Sequence, residues 1–211
     1  MPPTILITGF GPFPGAPFNP TTPLVRHLAR LRRPGLSEVR LIGHVFDTRY
    51  AAVDRELPEL IAQHRPDALL MFGVATRRKR LSIETRACNA LALLPDAGSA
   101  SLGRHALAPG HASARRMPAP LTRLLSAAKQ ARVPVALSHD AGRYLCNYLC
   151  WRAAEAVAAG NGPRLAAFVH VPQVGRMPQR SSRVTQDSLA RAGEAILMAL
   201  AAAARQNYRD F

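Results

Sequence analysis

Apolar runs alternate with amphipathic stretches along most of the chain, in a pattern typical of an α/β protein. The apolar runs predict buried strands over Thr4–Thr8, Val39–Phe46, Ala68–Phe72, Val133–Leu137 and Leu165–Val171. The stretches between them have helical spacing and predict helices over Pro23–Leu31, Tyr50–Gln63, Leu121–Ala131, Tyr144–Ala159 and about Thr185 to Arg205. Strands that alternate with helices favour an open, mostly parallel twisted sheet covered on both faces, a three-layer α/β/α sandwich.

The segment from Val74 to Pro120 departs from this alternation. Residues 76–80 are polar and basic, and residues 95–118 are rich in Gly, Ala and Pro. We therefore predict an edge hairpin or a long excursion there. The chain has 211 residues, no internal repeat and no linker, so we predict a single α/β domain over residues 1–211.

Composition narrows the class of protein. Hydrophobic residues make up 48% of the chain, which excludes wholesale disorder, and no apolar run reaches the roughly 18 residues of a membrane span. The N-terminus has no signal-peptide pattern, so we predict a cytoplasmic protein with no membrane partner. The net charge is 28 − 13 = +15, but the basic residues are scattered from Arg26 to Arg209. That scatter favours weak polyanion binding at most, and no specific nucleic-acid partner is expected.

Three residues stand where a doubly wound fold places its functional groups. Cys146 lies near the start of a predicted helix, where the free amides and the helix dipole favour a thiolate. His170 ends a predicted strand, and Glu84 is the one acid in the segment RLSIETRACN. A thiolate needs an imidazole partner, and the imidazole needs an acceptor on its other nitrogen, so Cys, His and Glu can supply a hydrolytic triad.

Other interpretations of the same residues stay open. Cys146 can be a buried small hydrophobe, His170 a core residue, and Glu84 a surface partner of Arg86. Cys146 and Cys150 share a helix face, which allows a metal site completed by His139 or His170, although no second close pair supports it. Cys150 and Cys88 otherwise suit an apolar core. We expect neither a metal nor a cofactor.

Four blocks resemble the pyroglutamyl peptidase I family, cysteine peptidases that remove an N-terminal pyroglutamate. In order they are ILITGFGPFPGAPFNP, FGVATRRKRLSIETRACN, LSHDAGRYLCN and FVHVP, within residues 5–172. The family's nucleophile motif S-x-x-A-G-x-Y/F-x-C-N is matched by Ser138, Ala141, Gly142, Tyr144, Cys146 and Asn147. The resemblance implies that Cys146 is the nucleophile, His170 the general base and later acid, and Glu84 the orienting carboxylate.

The resemblance also implies a substrate pocket. Phe10 and Phe13 match the aromatic pair that walls the pyrrolidone pocket, and Asn19 matches the asparagine that pins their loop. Tyr144 and Leu145 match the opposite hydrophobic wall. A flat, neutral lactam suits an aromatic slot with a few backbone hydrogen bonds.

Several pocket positions depart from the family pattern. Val74 replaces the pocket glutamine, His44 aligns with a threonine, and in the stretch that corresponds to A-R-I-P-D, Leu93 replaces the arginine and Leu94 the isoleucine. We nevertheless expect His44, Val74 and Leu94 to contact the substrate. Losing polar pocket groups costs about 1–3 kcal/mol each in discrimination, so the mechanism is better supported than the substrate.

The leading hypothesis is a thiol protease that hydrolyses the bond after an N-terminal pyroglutamyl residue through a thioester acyl-enzyme. Its partners would be pyroglutamyl peptides and, as in relatives, further copies of itself in a homo-oligomer such as a tetramer. One alternative is a related cysteine amidohydrolase with a different small acyl or amide substrate. The other is a catalytically weak paralogue that binds a ligand or a polyanion.

Overall fold

In the computed structural model, which describes residues 2–13, 16–174 and 184–206, strands and helices alternate as the hydrophobic pattern predicts. The strands are β1 Thr4–Phe10, β2 Arg40–Phe46, β3 Ala68–Ala75, β4 Leu81–Glu84, β5 Arg86–Cys88, β6 Ala114–Arg116, β7 Val135–Ser138 and β8 Leu165–Pro172. The helices are α1 Thr21–Ala29, α2 Tyr50–His64, α3 Leu121–Gln130, α4 Leu145–Ala158 and α5 Gln186–Gln206, with a short 3-10 turn at Pro34–Leu36.

Six strands form one open sheet in the order β2-β1-β3-β8-β4-β7. All neighbours are parallel except β4 and β8, which run antiparallel. Parallel strands require crossover connections, and the helices provide them on both faces of the sheet. The expected three-layer α/β/α architecture is thus confirmed.

Two apolar cores lie on the two faces of the sheet. One packs residues of α1, α3 and α5 against strand residues such as Ile5, Ile7 and Leu70. The other packs α2 and α4 against residues such as Leu6, Leu69 and Phe168. Consecutive strand residues point to opposite faces, so the continuously apolar runs serve both cores. Among the described residues, no helix is long and apolar enough to cross a membrane.

The segment after β3 holds both the predicted excursion and a strand that the sequence pattern did not indicate. Strands β5 and β6 pair antiparallel in a separate two-stranded sheet, and residues 89–113 between them are irregular. Strand β4, by contrast, lies inside the main sheet between β8 and β7. It carries Glu84 at its end, so this strand delivers a candidate catalytic group to the sheet. In the Gly- and Pro-rich loop after β1, residues 14–15 lie outside the described part.

Candidate active site

Cys146 is the second residue of α4, and a hydrogen-bonded turn from Ser138 to Gly142 precedes the helix. The Ser138 hydroxyl accepts the Asp140 amide at 3.2 Å, and the Asp140 carboxylate accepts the Gly142 amide at 2.9 Å. Gly142 has φ of +81°, a conformation that suits glycine. The first amides of a helix have no carbonyl partner within the helix, so α4 presents N–H groups and a positive dipole end beside the thiol.

Gly73, near the end of β3, makes room for this thiol. A Cβ atom at Gly73 would lie 2.6 Å from the Cys146 Sγ and 2.7 Å from the Phe168 Cζ, closer than real carbon contacts. Only a residue without a side chain therefore lets the start of α4 approach the sheet here.

His170 and Glu84 meet beneath the start of α4. His170 Nδ1 lies 2.7 Å from Glu84 Oε1, in a hydrogen bond between two buried side chains. The strand register explains the contact: β4 runs antiparallel to β8 with Ser82 opposite His170, so Glu84 lies diagonally across on the same face. Nδ1 is engaged by the carboxylate, which leaves Nε2 for Cys146.

Electrostatics favour a protonated His170. Burial lowers the pKa of the imidazole, but the charge of Cys146 and its hydrogen bond with the ring, together with Glu84, raise it to about 9. The ring therefore keeps its proton at neutral pH. The arrangement can therefore hold a nucleophilic thiolate next to a proton donor.

A fourth charged group completes the cluster, and sequence reasoning did not single it out. Arg78 donates from Nη1 to Glu84 Oε1 at 2.6 Å and from Nη2 to the Asp140 carbonyl at 2.5 Å. Arg86, which the sequence offered as the partner of Glu84, instead bonds the His139 carbonyl. Arg78 belongs to a run of four basic residues, and the one sequence signal that marks it is the family resemblance, because residues 73–78 correspond to a G-Q-A-G-G-R block whose last residue is an arginine.

The loop after β1 is fixed at its base. The Asn19 side chain donates to the Gly11 carbonyl at 3.0 Å and accepts from the backbone and hydroxyl of Thr21. Phe10 is buried beside Phe46, with ring centroids 6.0 Å apart, whereas Phe13 is only half-buried. Phe13 is thus the more available of the two rings for contact with a ligand.

The far wall is tied to the start of α4. The Tyr144 hydroxyl donates to the Pro95 carbonyl at 2.9 Å, and the Ala92 amide donates to the Arg143 carbonyl at 2.7 Å. Leu94, the residue before Pro95, is 55% exposed. Leu145 is buried in the α2–α4 core, so Tyr144 and Leu94 are the more exposed of the three side chains.

Val74 and His44 were both expected to line the pocket, but Val74 lies on the other face of the sheet and His44 is bonded to Glu56. Val74 follows Gly73 and pairs with Val171, which belongs to the α1–α3–α5 core, so its side chain lies on the face opposite Cys146. The expected contact between this side chain and a substrate stays a prediction. His44 lies on the edge strand β2, where Nε2 meets Glu56 Oε2 at 2.8 Å and the ring packs edge-on against Phe46.

The other cysteines lack the setting of Cys146. Cys150 is fully buried, and burial raises the pKa of its thiol well above the ordinary value. Cys88 is half-buried on β5, where its backbone exchanges hydrogen bonds with the Asn147 side chain. Within the described ranges, no group of three or more His, Cys, Asp or Glu residues is placed to hold a metal ion.

Comparison with known proteins identifies the family. The family model described as pyroglutamyl peptidase matches residues 3–208. The pyrrolidone-carboxylate peptidase of Vibrio vulnificus is 31% identical over 193 residues, 88% of this chain and 84% of that protein. The enzyme of the same name from Pyrococcus furiosus is 28% identical over 171 residues, 81% of each chain.

Solved structures share the fold. Pyroglutamyl peptidase I of Bacillus amyloliquefaciens superposes with a TM-score of 0.83 at 24% identity, covering 95% of this chain and 97% of that one. A variant of the pyrrolidone carboxyl peptidase of P. furiosus gives a TM-score of 0.82 at 24% identity, covering 93% and 97%. The chain therefore belongs to the pyroglutamyl peptidase family and is a pyroglutamyl-peptidase I-like enzyme.

Proposed function

We propose that this protein hydrolyses the amide bond that follows an N-terminal pyroglutamyl residue, with Cys146 as nucleophile, His170 as general acid and base, and Glu84 as the carboxylate that orients His170. The observation that carries the proposal is the buried 2.7 Å hydrogen bond from His170 Nδ1 to Glu84, beneath the helix start that bears Cys146. Family membership and the match over residues 3–208 support it, and also support one domain as the working unit.

The first half of the reaction forms a thioester. The Cys146 thiolate attacks the pyroglutamyl carbonyl carbon, a C–S bond forms, and the carbonyl π electrons move to the oxygen. Backbone amides at the start of α4, including that of Cys146, face the position where this oxyanion develops. The imidazolium of His170 then gives its proton to the leaving nitrogen, the C–N bond breaks, and the shortened peptide departs with a free amine.

The second half releases pyroglutamate. Neutral His170 takes a proton from water as the water oxygen attacks the thioester carbon. The tetrahedral intermediate collapses, the C–S bond breaks, and the electron pair returns to sulfur as the thiolate. Glu84 stays ionised throughout and fixes the tautomer of the ring by holding Nδ1–H. The site is thereby restored with the same protonation state with which it began.

The proposed specificity rests on the aromatic and apolar surfaces around the thiol. By the family resemblance, Phe13 would form one side and Tyr144 with Leu94 the other side of a slot for a flat, uncharged lactam. A free N-terminal ammonium would lose its hydration in such a slot without gaining a carboxylate partner. We therefore expect discrimination in favour of pyroglutamyl over aminoacyl amides.

The test is hydrolysis of a fluorogenic pyroglutamyl amide by the wild type and by the C146A and C88A variants. We expect turnover by the wild type and C88A, and a loss of at least about 10³-fold in C146A. Parallel assays with N-acetyl-aminoacyl and prolyl amides test the related amidohydrolase as an alternative. Faster turnover of those amides than of the pyroglutamyl amide would refute the substrate, and full activity in C146A would refute the mechanism.

A further inference from the structure

We propose that Arg78 is a positioning residue of this active site: it holds Glu84 as a carboxylate and fixes the turn that precedes the nucleophile. The inference rests on the proposed function, because it assigns Arg78 a part in the work of the Cys146, His170 and Glu84 group. The observation behind this inference is that the Arg78 guanidinium bonds both the Glu84 carboxylate and the turn that precedes Cys146.

The first element is Glu84. Its carboxylate is completely buried, and a buried charge without partners costs several kcal/mol. Oε1 receives both the Arg78 guanidinium at 2.6 Å and the His170 ring at 2.7 Å, whereas Oε2 has no hydrogen-bond partner within the described part of the chain. Among the described side chains, Arg78 and His170 are therefore the hydrogen-bonding partners that compensate this charge.

Charge alternation explains why a permanent cation is needed there. The cluster consists of a Cys146 thiolate, a His170 imidazolium, the Glu84 carboxylate and the Arg78 guanidinium, in that order. The proton on His170 moves during each turnover, so His170 cannot keep Glu84 ionised at every step. Arginine stays protonated at all working pH values and supplies the constant positive charge.

The second element is the turn from Ser138 to Gly142. Arg78 Nη2 donates to the Asp140 carbonyl, and the Asp140 side chain in turn accepts the Gly142 amide. Gly142 lies four residues before Cys146, so this turn sets where α4 begins. A single planar side chain thus couples the position of the general base, through Glu84, to the position of the nucleophile.

The neighbouring basic residues do not duplicate this role. Arg77, Lys79 and Arg80 are exposed. Arg86 also bonds the turn, through Nε to the His139 carbonyl at 2.8 Å, but it makes no contact with Glu84. Arg86 therefore provides a matched control: its removal loosens the same turn and leaves the Glu84 ion pair intact.

The experiment compares R78M, R78K and R86M with the wild type in two assays over a range of pH. The first is kcat and KM for a fluorogenic pyroglutamyl amide. The second is the rate at which iodoacetamide alkylates Cys146, read by peptide mass mapping. Alkylation needs no substrate, so it tests Arg78 even if the pyroglutamyl amide is not the substrate, and the two proposals can fail separately.

For R78M we expect kcat to fall about 10- to 100-fold with little change in KM, since a charge-assisted hydrogen bond to a buried carboxylate is lost. The acid limb of the alkylation profile should move up by about one pH unit, because R78M removes a permanent positive charge from the cluster and so disfavours the anionic thiolate on which alkylation depends. Among the described residues, the charged and titratable groups that interact with Glu84 are Arg78, His170 and, from α4, Cys150, while Cys146 interacts with the His170 ring. Of these, R78M changes only the first.

The variants separate charge from structure. R78K keeps the positive charge but cannot bond Glu84 and the Asp140 carbonyl at the same time as the planar guanidinium does. The acid limb of its alkylation profile should therefore stay near that of the wild type, and its kcat should lie between those of R78M and the wild type. R86M should leave the acid limb unmoved. The proposal is overturned by an R78M enzyme with wild-type kcat and pH profile, or by an R86M enzyme with the same loss and shift. If R78M does not fold, an R78K enzyme with unchanged kcat overturns it as well.

Discussion

Replacing Gly73 by alanine adds one methyl group at the tightest point of the active site. The new Cβ would lie 2.6 Å from the Cys146 Sγ and 2.7 Å from the Phe168 Cζ. Ordinary contacts between such atoms are about 3.5–4.0 Å, so both neighbours must move by about 1 Å. The Phe168 ring packs edge-on against the His170 ring at 5.0 Å, so its movement, like that of the thiol, disturbs the candidate triad.

The geometry sets the size of the effect. A misplacement of about 1 Å in a reacting group costs on the order of 10²-fold in rate, so we expect kcat/KM of G73A to fall by about that factor. Overpacking should also cost about 1–3 kcal/mol of unfolding free energy. Because the protein has 211 residues, this corresponds to a fall of several degrees in the thermal midpoint.

A matched variant distinguishes the two effects. Alanine at Gly43 would place its Cβ 2.7 Å from the Ala29 Cβ, a similar clash between β2 and α1, remote from the thiol. G43A should therefore lose comparable stability and keep kcat/KM within about twofold. Hydrolysis of a fluorogenic pyroglutamyl amide, with thermal unfolding of both variants, provides the measurements. Equal losses of activity in G73A and G43A, or none in G73A, would show that Gly73 does not position the nucleophile.

Three further predictions concern the thiols, the pH dependence and the pocket. Limited iodoacetamide treatment at neutral pH should modify Cys146 before Cys150, and mass mapping that finds Cys150 labelled first contradicts the assignment. The pKa of His170 rises from 6.5 to about 9 on folding, so its contribution to stability is fully present below pH 6.5 and is lost as the pH rises through about 9. kcat/KM should fall over the same upper range as the imidazolium proton is lost, and a profile flat to pH 10 argues against His170 as the acid. V74Q should change kcat/KM less than threefold because the side chain lies on the face of the sheet opposite the thiol. F13A should raise KM about tenfold because a ring that stacks on the substrate is lost. A larger effect of V74Q than of F13A would contradict this placement of the pocket.

The sequence pattern predicted the strands and helices of the main layers because each carries a long or strongly periodic apolar signal. Strand β4 was missed for a physical reason. It has four residues, LSIE, whose alternation is typical of a strand with one face in water. In the fold, Leu81 and Ile83 enter one core, while Ser82 and Glu84 are buried on the other face because the active site covers them. Buried polar residues at a functional site look like surface residues in a sequence.

The spacing of residues along the chain also could not predict that the three candidate catalytic residues meet. Glu84, Cys146 and His170 come from a strand end, a helix start and another strand, and only the order of strands in the sheet brings them together. The family motifs supplied their roles by resemblance, but they do not indicate on which face of the sheet Val74 lies. A motif aligns positions along the chain, whereas strand alternation decides which face of the sheet each side chain occupies.

That alternation also explains how the family pattern can change at Val74 while the site keeps its geometry. The residue on the catalytic face is Gly73, and a side chain there would collide with the thiol. The residue on the other face is Val74, which is half-buried and is paired with Val171 in the strand register. A contact between this part of β3 and a substrate on the catalytic face would therefore come from the backbone, which no substitution at Val74 removes.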